Sequence, residues 1–198
     1  MKRLYRFFAA ALVVLLLSGC VSGTEKSLVR GTVKAYFNAL QTQDFATANA
    51  LTVACEENIP ASIDASPVNV QIFGGIAYEL WGINKQGGVL YAHLMITQIS
   101  LAKAYENTAR EYDAFMQDAY ANNRVYTDEA KEIKWNEIFY RHVQGTEETA
   151  VFEVDVPLTE QDGYWRLNMT ASFRNALFGG ELDAIRALES IQKGEETP

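Results

Sequence analysis

The sequence has few of the residues that build metal centres and nucleophilic active sites. Its 198 residues include two cysteines and two histidines, His93 and His142, and they form no CxxC, HExxH or calcium-loop pattern. Nucleophilic catalysis needs a base beside the nucleophile and a group that orients that base. Both histidines fit packing or surface positions better, one in a strand and one near a helix end. The sequence therefore predicts no catalytic residue, no metal site and no cofactor.

Clusters of positive charge and long apolar runs are also scarce. No group of Lys and Arg follows Arg6, although binding to nucleic-acid phosphates needs such a group. The apolar run Phe7–Leu17 has 11 residues, whereas a membrane-spanning helix needs about 20. These absences argue against a nucleic-acid partner and against a transmembrane anchor.

The start of the chain has the layout of a secretory signal peptide. Basic residues precede the apolar run, and the small residues Ser18 and Gly19 separate it from Cys20. The segment Leu17-Ser18-Gly19-Cys20 resembles the bacterial lipoprotein box, with an ordinary signal peptide as the alternative. The resemblance implies cleavage between Gly19 and Cys20 and attachment of a diacylglycerol to the Cys20 thiol.

Removal of the signal peptide, residues 1–19, would leave an acidic protein. It takes away three of the 17 basic residues and none of the 25 acidic ones, so the formal charge moves from -8 to -11. Anionic lipid headgroups would repel such a surface, so acyl chains rather than surface charge are expected to hold the protein at the membrane. Residues 20–23 are the expected lipidated tether, residues 24–192 a single domain and residues 193–198 a flexible tail.

Local signals place helices in two parts of the chain. Ser22 and Glu25 form a capping-box pattern that begins a helix ending near Leu40. Asp44 is expected to cap a second helix whose inward face reaches Cys55.

Helical patterns return in the middle of the sequence. A long helix is predicted over 100–121. The segment 127–143 is predicted to be a helix capped by Thr127, with a strand as the alternative.

Two strand pairs complete the pattern. Alternation from residue 76 to residue 81, the turn Lys85-Gln86-Gly87-Gly88 and the β-rich segment 89–100 predict a hairpin. The segment 150–158 predicts a strand that returns through an Asp-Gly turn. Its alternation places the acidic Glu153 and Asp155 outward, where a solvated surface is favoured over a cation site.

Two motifs resemble cone-shaped domains similar to nuclear transport factor 2. They are Tyr36-Phe37-Asn38-Ala39-Leu40 with the following Asp44-Phe45-Ala46-Thr47-Ala48, and Gly163-Tyr164-Trp165-Arg166-Leu167. The resemblance implies an α+β fold, with a curved antiparallel sheet of about four strands packed against N-terminal and long central helices. The order of elements, including the ending Asn175–Leu182, is also similar to lipoproteins of Gram-positive bacteria, most of which have no assigned activity.

The same resemblance suggests a pocket. Some cone-shaped domains are isomerases or dehydratases, with an Asp or His base and Tyr donors at the bottom of a cavity in the sheet. Tyr36, Tyr78, Tyr91 and Trp165 are the candidate lining residues here. The favoured interpretation is that these aromatic side chains simply fill the cone, because no inward strand Asp matches such a base.

The predicted lipid anchor and the lack of a catalytic set together suggest the function of the chain. The chain is expected to be a non-enzymatic envelope lipoprotein on the outer face of the cell membrane, or in the outer membrane of a host with two membranes. It would bind a small apolar ligand or an envelope protein, or have a structural role. The alternatives are a cone-domain lyase or isomerase acting on a small apolar substrate, and a transport-associated binding lipoprotein.

Blocking lipidation should change both the processing and the location of the protein. Globomycin is expected to prevent removal of residues 1–19. The Cys20→Ala variant is expected to leave the membrane, because the acyl chains supply the attachment. Immunoblots of membrane and released fractions measure both effects. Membrane retention of a Cys20→Ala protein that has lost its signal peptide would contradict the lipid anchor.

Overall fold

The computed structural model describes residues 21–54 and 67–192, with side chains described for 21–54 and 70–186. Its helices are α1 (Gly23–Gln41), α2 (Phe45–Ala50), α3 (Pro67–Gly74), α4 (Leu101–Ala121), α5 (Asp128–Gln144), α6 (Ala171–Leu177) and α7 (Glu181–Gln192). Its strands are β1 (Ala77–Gln86), β2 (Val89–Ile99), β3 (Thr149–Gln161) and β4 (Tyr164–Leu167). The strands form one antiparallel sheet in the order β1-β2-β3-β4, which confirms the predicted α+β class. The predicted cleavage and lipidation positions, Gly19 and Cys20, lie outside the described residues.

Two helix starts form as their sequence signals predict. The backbone N–H of Glu25 donates to Ser22 Oγ at 3.1 Å, and the N–H of Ser22 donates to Glu25 Oε2 at 2.9 Å. The bond from the Ser22 N–H to this carboxylate is the main reason that the pKa of the Glu25 carboxyl lies below its usual value. At α5, the N–H of Ala130 donates to Thr127 Oγ1 at 3.2 Å, which confirms a helix rather than a strand over 127–143.

One helix is shorter than predicted. Asp44 caps α2 as expected, but the helix ends at Ala50 and does not continue to Cys55, which lies outside the described residues. The chain after α2 instead pairs with the end of β4: Leu167 donates to the Leu51 carbonyl at 3.0 Å and accepts from Val53 at 2.9 Å. This pairing uses the backbone groups that a longer helix would need.

Register divides the sheet into two faces. The inner face carries Leu90, Ala92, Leu94 and Ile96 of β2, all at most 2% exposed, opposite Leu158, Val156, Val154 and Phe152 of β3. The outer face carries the alternate residues, and on β1 and β3 these are mostly solvent-exposed. The predicted outward positions of Glu153 and Asp155 on β3 are confirmed, because side chains alternate with a period of two.

Helices α1 and α6 pack on the inner face through aromatic side chains. The rings of Phe37 and Tyr78 stack with centroids 4.1 Å apart, which joins α1 to β1. The ring centroid of Phe173 in α6 lies 6.5 Å from that of Phe37 and 5.7 Å from that of Tyr36. The first turn of the long helix α4 reaches the same core through Leu101.

The end of β2 is fastened to the C-terminal segment by a glycine contact. Gly179 has a φ of +55°, and a Cβ at this position would overlap the carbonyl oxygen of Ile99. Its carbonyl accepts the N–H of Leu101 at 2.9 Å. Beside it, the buried Gln98 donates to the Leu177 carbonyl at 2.9 Å. Only glycine fits here, because both the backbone conformation and the space exclude a side chain.

The two hairpin turns lie at one end of the sheet. Asp162 and Gly163, with φ values of +54° and +79°, form the predicted turn between β3 and β4. Gly87 and Gly88 form the turn between β1 and β2. Leu90, next to the first turn, is the register partner of Leu158, close to the second, so the turns are neighbours.

Among the helices of the described ranges, none combines the length and apolarity needed to cross a bilayer.

Substituting Gly179 should damage the fold far more than an ordinary glycine substitution. Gly179→Ala is expected to lower the free energy of unfolding by roughly 3 kcal/mol, through backbone strain and overlap with Ile99. Gly31→Ala is the matched control. It lies inside α1 with open space around the new methyl group, so it should raise stability by about 0.5–1 kcal/mol. Urea unfolding followed by circular dichroism measures both, and equal effects would contradict the glycine contact.

Candidate functional site

The four aromatic residues predicted to line a pocket divide between the two faces of the sheet. Tyr36, Tyr78 and Trp165 lie on the inner side and contact the core. Tyr91 lies on the outer face, opposite Pro157, because it alternates with the buried Leu90. The structure therefore brings three of the four to one side and places Tyr91 across the sheet from them.

On the inner side these aromatic side chains are packing residues. Tyr36 is 1% exposed and contacts Phe37 and Phe173. Burial raises the pKa of Tyr36 well above its usual value and also raises the pKa of Tyr78, so both phenols stay neutral at physiological pH. Every Asp and Glu whose burial is described is at least partly exposed, so no inward acid accompanies these tyrosines in that part of the chain.

The outer face carries a groove of about 330 Å³, which we call the outer-face groove. Its lining residues are the outward-facing Trp81, His93, Glu153 and Asp155, together with Leu94 and Val154, which adjoin them along β2 and β3 and whose side chains face inward. A β-bulge between Leu80 and Gly82 places Trp81 out of register with β2. Gly82 then faces His93 without a side chain, and a Cβ there would lie 3.4 Å from His93 Cδ2. The bulge and the glycine together open the groove between β1 and β2.

Trp81 forms one wall of the outer-face groove. It is 57% exposed, and its indole N–H donates to Glu79 Oε2 at 3.0 Å. The bond satisfies the polar edge of the indole and orients the ring, while its apolar faces stay accessible. A large, exposed and oriented aromatic ring is a common element of binding surfaces.

A contact between His93 and Asp155 forms the opposite wall. His93 Nδ1 contacts Asp155 Oδ1, and the two residues are register partners on β2 and β3. Glu153 lies two residues before Asp155 on the same face and is exposed. Together with Glu79, the groove and its rim carry three exposed carboxylates, so the electrostatic potential there is negative.

The second histidine, His142, contacts a neighbouring helix and lies outside the groove. His142 Nε2 lies 3.0 Å from Glu111 Oε2, and Arg141 contacts the other oxygen of the same carboxylate. The Arg141 hydrogen bond is the main reason that the pKa of Glu111 is lowered. These contacts tie α5 to α4.

Metal-binding geometry does not occur within residues 21–54 and 67–192, where His, Cys, Asp and Glu form no group of three or more that could hold an ion. Glu153 and Asp155 contribute to the groove as exposed acceptors instead.

The alternation of residues 76–81 predicts Glu79 and Trp81 on one face of a strand but does not connect them with His93 and Asp155. The connection needs the pairing of three strands and the bulge at Trp81, and residue alternation contains neither. The sequence contains one local signal of the bulge: Gly82 directly follows Trp81 inside a strand, and a glycine there often marks a bulge.

Similarity between this chain and known proteins is weak. No protein-family model matches the chain, and no curated protein matches it. Among solved structures, an M. tuberculosis LEH-like epoxide hydrolase is similar over 84% of this chain and 93% of that chain, with 15% sequence identity and a TM-score of 0.29. A likeness at this level carries no argument about fold or activity, so the fold rests on the strand order and register above.

The buried hydroxyl of Tyr36 gives a test of the packing role. No described group forms a hydrogen bond with it, and burying an unpaired hydroxyl costs stability. Tyr36→Phe is therefore expected to raise the free energy of unfolding by about 1 kcal/mol. Tyr105→Phe is the control, because the Tyr105 hydroxyl donates to Glu181 at 2.9 Å and its loss should destabilise. Urea unfolding measures both, and a destabilised Tyr36→Phe protein would show that this hydroxyl has a partner.

Proposed function

We propose that this chain is an exported, lipid-anchored binding domain that captures a cationic group in its outer-face groove. The anchor is the acylated Cys20 predicted from the sequence. The binding role depends on one observation: the oriented, exposed Trp81 lies across a groove of about 330 Å³ from the His93–Asp155 contact and the exposed Glu153.

The chemistry of the groove favours a positive ligand. Trp provides the strongest cation–π surface among the aromatic side chains. Glu79 and Glu153 add negative charge on either side of Met95, which is the register partner of both. A quaternary ammonium, a primary amine or a guanidinium group fits this combination of ring face and carboxylate better than the small apolar ligand expected from the sequence.

A second candidate function is catalysis at the same groove. A carboxylate bound to His93 Nδ1 fixes the tautomer in which Nε2 can accept a proton, which is how a general base is oriented. The recovered ligand separates the two functions: a binding domain returns it unchanged, whereas an enzyme returns a product that Asp155→Asn and His93→Gln variants fail to form. Mass spectrometry of the ligand after incubation measures this.

Binding can be tested with choline and its uncharged carbon analogue 3,3-dimethylbutan-1-ol. Choline is expected to shift the backbone amides of β2 saturably in NMR titrations, with a dissociation constant below about 10 mM. The uncharged analogue should produce no saturable shift, because it lacks the charge. Arginine amide tests a guanidinium in the same way.

Variants separate the contributions of the ring and the acids. Trp81→Leu and the double variant Glu153→Gln with Asp155→Asn are each expected to weaken choline or arginine amide binding about tenfold. Glu132→Gln, which removes an exposed carboxylate on α5, is the matched control and should bind as the natural chain does. Equal affinity for the charged probe and the uncharged analogue would overturn the proposal, as would the absence of saturation by both cations.

A further inference from the structure

We infer that the end of the domain formed by the two hairpin turns is seated on the lipid bilayer, with Tyr164 and Val89 in the headgroup region. This inference rests on the lipid anchor of the proposed function and adds to it an orientation and a membrane-contact surface. The surface consists of the turns Gly87–Val89 and Asp162–Tyr164, which we call the turn end.

Only a short segment of chain separates the predicted anchor from the first helix. Helix α1 begins at Gly23, three residues after Cys20, so at most about 11 Å of extended chain separates their Cα atoms. Val21, the residue after Cys20, is already partly buried against the core. An acyl anchor on residue 20 would therefore be one residue along the chain from the packed body of the domain, without a long flexible linker between them.

The turn end lies beside the start of α1, and so beside the predicted anchor. Lys85 Nζ, just before the first hairpin turn, lies 3.9 Å from Glu25 Oε1 in the first turn of α1. The ion pair places the β1–β2 turn next to the helix start. Because Leu158 is the register partner of both Leu90 and Leu167, the β3–β4 turn lies at the same end of the sheet.

The turn end carries exposed side chains of the kind found at membrane interfaces. Tyr164 is 71% exposed and Val89 is 39% exposed, one beside each turn. Tyrosine concentrates at membrane interfaces, where its ring contacts acyl chains and its hydroxyl stays among polar headgroups. Gly87, Gly88 and Gly163 carry no side chain, which lets the backbone of both turns approach the surface closely, and Asp162 is the one charged residue within the turn end. Two exposed apolar groups beside the lipid attachment point thus face the bilayer.

The experiment measures the depth of two matched positions in the lipidated protein. The mature protein with Cys55→Ser is reconstituted in vesicles of phosphatidylglycerol and phosphatidylethanolamine, so that an introduced cysteine is the only free thiol. Tyr164→Cys and Tyr120→Cys carry the same environment-sensitive fluorophore. Both natural residues are 71% exposed, but Tyr120 is at the far end of α4, roughly 30 Å from Leu101 along the helix. Lipids with a quencher at the headgroup report contact.

The label at residue 164 is expected to lose at least about half of its emission, and the label at residue 120 should change little, because only the turn end lies among the headgroups. Val89→Cys repeats the test on the other turn with the same expected loss. Flotation of the vesicles is measured first. Protein that does not float with the lipid would overturn the anchor and this orientation with it. Protein that floats but shows equal quenching at residues 164 and 120 would overturn the orientation alone.

Discussion

The register of β2 is the constraint on which both the core and the groove depend. Its even-numbered residues from Leu90 to Ile96 are buried, and the odd-numbered His93 lines the groove on the other face. A slip of one residue would exchange the two sets and lose both features. Gln98 and the tight contact of Gly179 with Ile99 fasten one end of the strand, so the C-terminal segment helps to fix this register from outside the sheet.

The features that the sequence predicted correctly are those with a local physical cause. The capping box at Ser22, the cap at Thr127 and the Asp162-Gly163 turn each depend on residues within a few positions of one another. The end of α2 and the face of Tyr91 depend instead on strands distant in the chain. The pairing of Leu51 with Leu167 ends the helix, and the pairing of Leu90 with Leu158 on the buried face leaves Tyr91 on the outer face. The groove was missed for the same reason.

The sheet separates the packed core on its inner side from the groove on its outer side. Aromatic side chains from α1, β1 and α6 fill the inner side, where their contacts contribute stability and leave the phenol of Tyr36 buried and neutral. The outer face keeps its polar and aromatic groups exposed, so residues there can change with little cost to the core. A bulge at Trp81 is enough to turn part of this otherwise regular surface into a concave site.

The distance between the groove and the turn end has a consequence for how a ligand would be found. Four residues of extended β2 separate Val89 from His93, a rise of roughly 13 Å. A domain resting on its turns would hold the groove just above the headgroups, facing sideways along the membrane plane. Molecules diffusing in or on the bilayer would then meet it by a two-dimensional search, and amine-bearing lipid headgroups would compete with free cations for the same Trp81 ring.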